Sequence, residues 1–173
     1  MEQIDLDSIR LRTNEFFSTP IWSSVVEFDY APVVERTLQF QPMERFNLYS
    51  YPEYKEMLSV LELRLLKISK NIHPDFKVVI GDAWVNNNTE WGYNPGTTFT
   101  GNIFVRIGTG GAVRFRRPSM AQHYPINDMG SKLFQTYVDY RGDMNKVTIF
   151  PSWLEHCLTP SDDLAITFDI HQV

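Results

Sequence analysis

The stretch Phe150-Pro151-Ser152-Trp153-Leu154-Glu155-His156, followed by Leu164-Ala165-Ile166-Thr167-Phe168-Asp169-Ile170, decides how this chain is read. The first segment closes an apolar run in a polar turn. The second alternates apolar and polar residues with the period of two that a strand requires. A histidine therefore stands between two strands near the carboxyl end. Upstream, the segments 77–85, 99–107, 113–116, 134–140 and 146–150 are short, rich in β-branched and aromatic residues, and separated by Gly, Asn, Pro or Asp, so they too read as strands, and the closing strand spans 164–171. Gly108-Thr109-Gly110-Gly111 between two of them reads as a hairpin turn.

One helix precedes these strands, over 53–70. Tyr54, Met57, Leu58, Leu61, Leu65 and Ile68 recur at helical spacing, with Lys55, Glu56, Ser59, Glu62 and Lys67 elsewhere. Ser50 and Glu53 have the spacing of a capping box. Farther back, Thr19-Pro20-Ile21-Trp22 reads as a turn into a short strand around Val25, Val26 and Phe28. A helix followed by many short strands predicts an α+β, mainly β chain whose core is a sandwich or barrel, with the helix covering one outer sheet face.

Composition sets the remaining bounds. A chain of 173 residues, with 43% hydrophobic, 14% aromatic and 21% charged residues, suits a single soluble domain over 1–173. The net charge of -5 argues against bulk attraction to nucleic acid, because counterion-driven binding needs a surplus of Lys and Arg. A single cysteine, Cys157, excludes an intramolecular disulfide and is read as a small buried residue. The acidic start Met1-Glu2-Gln3-Ile4-Asp5-Leu6-Asp7 lacks the features of a signal peptide, and no apolar run is long enough to span a bilayer, so a cytoplasmic place of synthesis and no membrane partner are expected.

Taken together, Ala83-Trp84-Val85-Asn86, Gly92-Tyr93-Asn94-Pro95, 99–105, the Phe-Pro-Ser-Trp-Leu-x-His segment 150–156 and Ile166-Thr167-Phe168-Asp169 resemble a family of 2-oxoglutarate and Fe(II)-dependent oxygenases, many of them encoded by bacteriophages. Phe16-Phe17-Ser18-Thr19-Pro20-Ile21-Trp22 is similar to that family's start. The resemblance implies a double-stranded β-helix, a jelly roll of cupin-like type, with a flanking helix near 53–70 and a metal held in its mouth. It also implies a facial triad of two histidines and a carboxylate, with open positions for 2-oxoglutarate and oxygen. His156 matches the last ligand. The first two would fall just after the Asn-Pro, where the chain reads Gly96-Thr97-Thr98, and glycine has no ligand atom. The arginine that pairs with the distal carboxylate of 2-oxoglutarate corresponds to Asp163, an anion where a planar cationic fork belongs.

The expectation from these substitutions is a non-catalytic oxygenase-like protein that needs no cofactor and acts through protein contacts. The resemblance makes a phage virion component, at the neck, tail or head completion, its concrete form, with virion subunits or further copies of itself as partners. Trp91, Tyr93 and Trp153 are candidate contact rings, and Arg114, Arg116 and Arg117 are a candidate basic cluster whose structural reading is a charged strand edge. The rival from another class is an active oxygenase using Fe(II) and 2-oxoglutarate with an atypical site, His156 joined by His123 or Asp82 and the cosubstrate held by Arg106 or Arg114. A third reading is a module that binds a small ligand in the mouth. Asp169 and His171, two apart on one strand face, could also donate to a metal, whereas His73 and His123 lie in turn-like stretches.

Overall fold

The computed structural model describes residues 12–16, 19–116, 137–144 and 146–173. Its larger sheet is seven-stranded and antiparallel, in the order β1-β2-β8-β5-β10-β4-β3. These strands are β1 (Arg12–Phe16), β2 (Thr19–Val25), β3 (Arg45–Asn47), β4 (Val78–Asn86), β5 (Phe99–Arg106), β8 (Lys146–Pro151) and β10 (Leu164–Gln172). A three-stranded sheet, ordered β7-β6-β9, faces it, with β6 (Ala112–Arg116), β7 (Tyr137–Arg141) and β9 (His156–Leu158). From β5 onward the chain passes between the sheets, β5 to β6 and then β7 to β8 to β9 to β10, which is how a jelly roll is wound.

Alternation along β10 explains the layering. Leu164, Ile166, Phe168 and Ile170 point to the outer side, where they join Val85, Ala83, Ile103, Val147 and Ile149 in one core with Met57, Leu58, Leu61, Leu65 and Ile68 of helix α2 (Lys55–Ile72). Ala165 points the other way, into a second core between the sheets with Phe104, Phe150, Ile21, Val113, Phe115, Leu154 and Leu158. The large sheet is thus buried on both faces, by a helix on one and by the small sheet on the other. Close approach is needed at Gly101, opposite Phe168, where a methyl group would overlap the phenyl ring.

Several expectations are corrected here. Gly108–Gly111 is no hairpin, because β5 and β6 lie in different sheets; the segment crosses between them, held by Asp162 and Asp163. Thr19–Trp22 belongs to β2 rather than to a turn, and Pro20 is accommodated because β8 pairs only with Trp22–Val25. Helix α2 has no side-chain cap: a 3-10 turn over Pro52–Tyr54 leads into it, and the fixed φ of Pro52 does the work expected of Ser50. Helix α1 (Tyr30–Thr37), capped by Asp29, has too few apolar residues to stand out in the sequence. The residues 134–136 of the strand expected at 134–140 lie outside the described residues. No helix among the described residues is long and apolar enough to cross a membrane.

Two glycines test this layering. Gly101→Ala should lower stability by about 1–3 kcal/mol through overpacking against Phe168. Gly92→Ala, which meets nothing within 4 Å, should stay within about 0.5 kcal/mol. Urea melts of both variants read the difference, and equal midpoints would contradict the packing described.

Candidate functional site

His156 opens β9, opposite Phe115 of β6. On its other side Gly92 bridges it with two backbone bonds, Gly92 N–H to His156 O at 3.0 Å and His156 N–H to Gly92 O at 2.8 Å. The imidazole is buried, 4.7 Å from the Phe150 ring in an edge-on arrangement and 6.4 Å from Phe115. Its Nδ1 lies 2.9 Å from the carbonyl oxygen of Leu154. A carbonyl only accepts, so Nδ1 carries the hydrogen and Nε2 holds the lone pair. Burial pushes the histidine below its ordinary pKa, more than the Leu154 carbonyl raises it, so the ring is neutral.

A neutral imidazole whose Nε2 has no partner among the described residues is a competent single donor, but the positions expected to hold the other ligands do not complete a triad. Gly96 sits at a φ of 85°, a left-handed turn position that favours glycine for backbone reasons. Thr98 spends its hydroxyl on the backbone N–H of Gln172 at 3.0 Å, and the Thr97 carbonyl accepts from Ser152 Oγ. Among the described residues no group of three His, Cys, Asp or Glu side chains converges, so these residues do not fit a facial triad. Asp163 turns its carboxylate onto backbone amides, accepting from Gly108 at 2.5 Å, Gly110 at 3.2 Å and Gly111.

Two of the other candidates, Arg114 and Arg116, are held in ion pairs. Arg114 forms a two-pronged pair with Asp139, at 2.6 and 2.9 Å, and lies over Tyr137; Arg116 pairs with Glu155 at 2.7 Å and lies over Trp91. Both point away from Val113 and Phe115, on the outer face of the small sheet, so neither reaches into the mouth. Asp82 and Arg106 are exposed at strand positions. Cys157 is buried, which raises its thiol pKa. His171 shares the Asp169 face, packed beside Gly81, and Asp169 pairs through Oδ2 with Arg45 at 2.6 Å. Arg117 and His123 lie outside the described residues. Tyr93 and Trp153 are 62% and 57% exposed, and their segments are joined by the Asn94 N–H to Ser152 O bond at 3.0 Å.

What the sequence reading missed is a polar row on the inner face of the large sheet. Register places Arg45, Trp84, Thr167, Asn102, Thr148 and Ser23 side by side across β3, β4, β10, β5, β8 and β2. Thr167 Oγ1 accepts from Asn86 Nδ2 at 2.8 Å and from Asn102 Nδ2 at 2.9 Å. Arg45 stacks over the Trp84 ring while it pairs with Asp169. Yet Trp84 Nε1, Asn102 Oδ1 and Asp169 Oδ1 are buried with no partner among the described residues. An atom of this kind left without any partner costs about 1–3 kcal/mol, so the row calls for polar partners. The signal was present as Thr100, Asn102 and Thr167, Asp169 at alternate positions, but alternation by itself reads as a solvent face.

No described protein family and no curated protein matches the chain in sequence. Solved structures do match it in fold. A 2OG-Fe(II) oxygenase family oxidoreductase from Burkholderia pseudomallei superposes over 96% of this chain and 74% of its own, with a TM-score of 0.51 and 10% identity. HygX from Streptomyces hygroscopicus, with nickel and 2-oxoglutarate bound, matches over 90% of this chain and 84% of its own, with a TM-score of 0.53 and 13% identity. Its iron-bound form gives a TM-score of 0.51, again at 13% identity, over 90% and 83% of the two chains. The chain therefore has the jelly-roll fold of these oxygenases. The same structures overturn the expectation that no cofactor is needed, since in HygX this fold carries iron, or nickel with 2-oxoglutarate, and points to a bound group rather than to none.

The state of His156 has a consequence for stability. Its folded pKa lies below the ordinary value of 6.5, so the unfolded chain binds a proton that the folded chain refuses. Stability should be unaffected by this group above that value and should fall as pH drops below it. In chelator-containing buffer, the loss between pH 7.5 and 5 should be smaller in His156→Gln than in the wild type, as thermal melts at each pH would show. Parallel pH profiles would contradict a neutral, desolvated imidazole.

Proposed function

We propose that this oxygenase-fold protein works by binding, holding a partner or ligand rather than turning over a cosubstrate. One observation carries the reading: His156, the residue that matches the last metal ligand, could give one donor, but the positions that match the other ligands, Gly96 and Thr98, serve a turn and a backbone bond. A group bound in the mouth is compatible with this reading; turnover of it is what the reading excludes. Oxidative chemistry at a facial triad needs a set of converging ligands that the described residues do not supply.

For a contact function, the exposed rings of Tyr93 and Trp153 are the best-placed anchors. They sit on two segments tied together by backbone bonds beside His156, so they present a fixed surface rather than independent side chains. A component of a phage virion, with neighbouring subunits as the partners, is the specific form of this proposal, and its support is the Phe-Pro-Ser-Trp-Leu-x-His resemblance.

The test is direct. After anaerobic reconstitution with Fe(II), the protein given 2-oxoglutarate, ascorbate and oxygen should release no succinate above a protein-free control. Stoichiometric or greater succinate, abolished by His156→Ala, would establish an active oxygenase and end the proposal.

A further inference from the structure

The buried polar atoms left over on the inner face of the large sheet define a pattern that a ligand has to match. Trp84, Asn102 and Asp169 are 3%, 2% and 5% exposed, and each keeps one polar atom without a partner among the described residues. They surround Thr167. Trp84 and Asn102 stand directly opposite it on the two flanking strands, and Asp169 is the next inward residue on β10, diagonal to Asn102. Diagonal neighbours on a sheet face lie about 7–8 Å apart at the backbone, close enough for side-chain oxygens from both to accept from one NH2 group.

The row is also set in advance. Thr167 Oγ1 takes the amide hydrogens of Asn86 and Asn102, which fixes the Asn102 side chain and leaves its Oδ1 as a pure acceptor. Arg45 occupies Asp169 Oδ2 and leaves Oδ1 as the second acceptor. The Trp84 indole N–H can only donate. The demand is therefore for two donated hydrogens and one accepted. Charge adds a further condition, because Arg45 already answers the Asp169 carboxylate at 2.6 Å. An anion would meet two acceptors and one donor, and a cation would compete with Arg45.

We propose that this inner-face cluster receives a neutral primary carboxamide, its NH2 group donating to Asn102 Oδ1 and Asp169 Oδ1 and its carbonyl accepting from Trp84 Nε1–H. The proposal rests on the reading that the mouth binds rather than turns over its ligand, and it names the chemistry of that ligand. Carboxamide could arrive as a free small molecule or as the side chain of Gln or Asn in a partner, and the recognition is the same in both.

The indole hydrogen of Trp84 provides the readout. In full-length protein carrying 15N-labelled tryptophan, the Trp84 signal is identified by its loss in Trp84→Phe, with Trp22, Trp91 and Trp153 as internal controls. Acetamide should move that signal saturably, sodium acetate at the same concentration should not, and Asn102→Leu should weaken the acetamide response at least tenfold. Free glutamine and a glutamine-containing peptide then separate the two sources, and a response to either supports the site. If Asn102→Leu fails to fold, calorimetry of acetamide binding to wild type and Trp84→Phe decides instead, with at least a tenfold loss expected. Absence of any response to acetamide, or an equal response to acetate, overturns the carboxamide site. That result leaves the binding reading standing, whereas succinate release would remove the reading whatever the indole signal does.

Discussion

Burial of strand β10 on both faces is the constraint from which the rest of the molecule follows. Its outward residues Leu164, Ile166, Phe168 and Ile170 complete the core under α2, and Gly101 on β5 makes room for the Phe168 ring. Its inward residues Ala165, Thr167 and Asp169 then have nowhere to go but the space between the sheets. Ala165 suits the apolar end of that space, among Phe104, Phe150 and Leu158. Thr167 and Asp169 do not, and they bring Asn86, Asn102 and Arg45 with them as hydrogen-bond and ionic partners. The polar interior is a consequence of strand geometry combined with a choice of residues that costs stability.

The two ends of the inner space are specialised in opposite ways. Around Gly108–Gly111 the carboxylates of Asp162 and Asp163 are consumed by loop amides, so they act as ties between β5, β6 and the start of β10. Around His156 the backbone is equally well tied, through Gly92, Asn94 and Ser152, but the exposed rings of Tyr93 and Trp153 remain free of the core. Structural neighbours from Burkholderia and Streptomyces share this winding at 10–13% identity, HygX with a metal in it. At such distance the backbone path is preserved by layer packing, while the side chains in the mouth are open to change.

Legibility from sequence differs by the kind of signal involved. Helix α2 is legible within a few residues because Met57, Leu58, Leu61, Leu65 and Ile68 form an unbroken apolar stripe, whereas its start is not, because Pro52 rather than Ser50 sets it. The Gly108–Gly111 turn is legible as a turn but its partners are not, since glycines report a change of direction and say nothing about which sheet follows. Arg114 and Arg116 look like a basic patch in sequence, but Asp139 and Glu155, distant in the chain, neutralise them in space.

The amino-acid order alone determined the strand-rich class and the helix that covers one face, because periodicity and turn residues are local properties, but not strand β9, which His156 opens. Only the tertiary structure decided that Thr167, Asn102, Trp84 and Asp169 face inward together, and that His156 is neutral and held by Leu154. An alternating strand has the same sequence signature whether its polar side meets water or a second sheet. Which of the two it meets is set by strands far away in the chain.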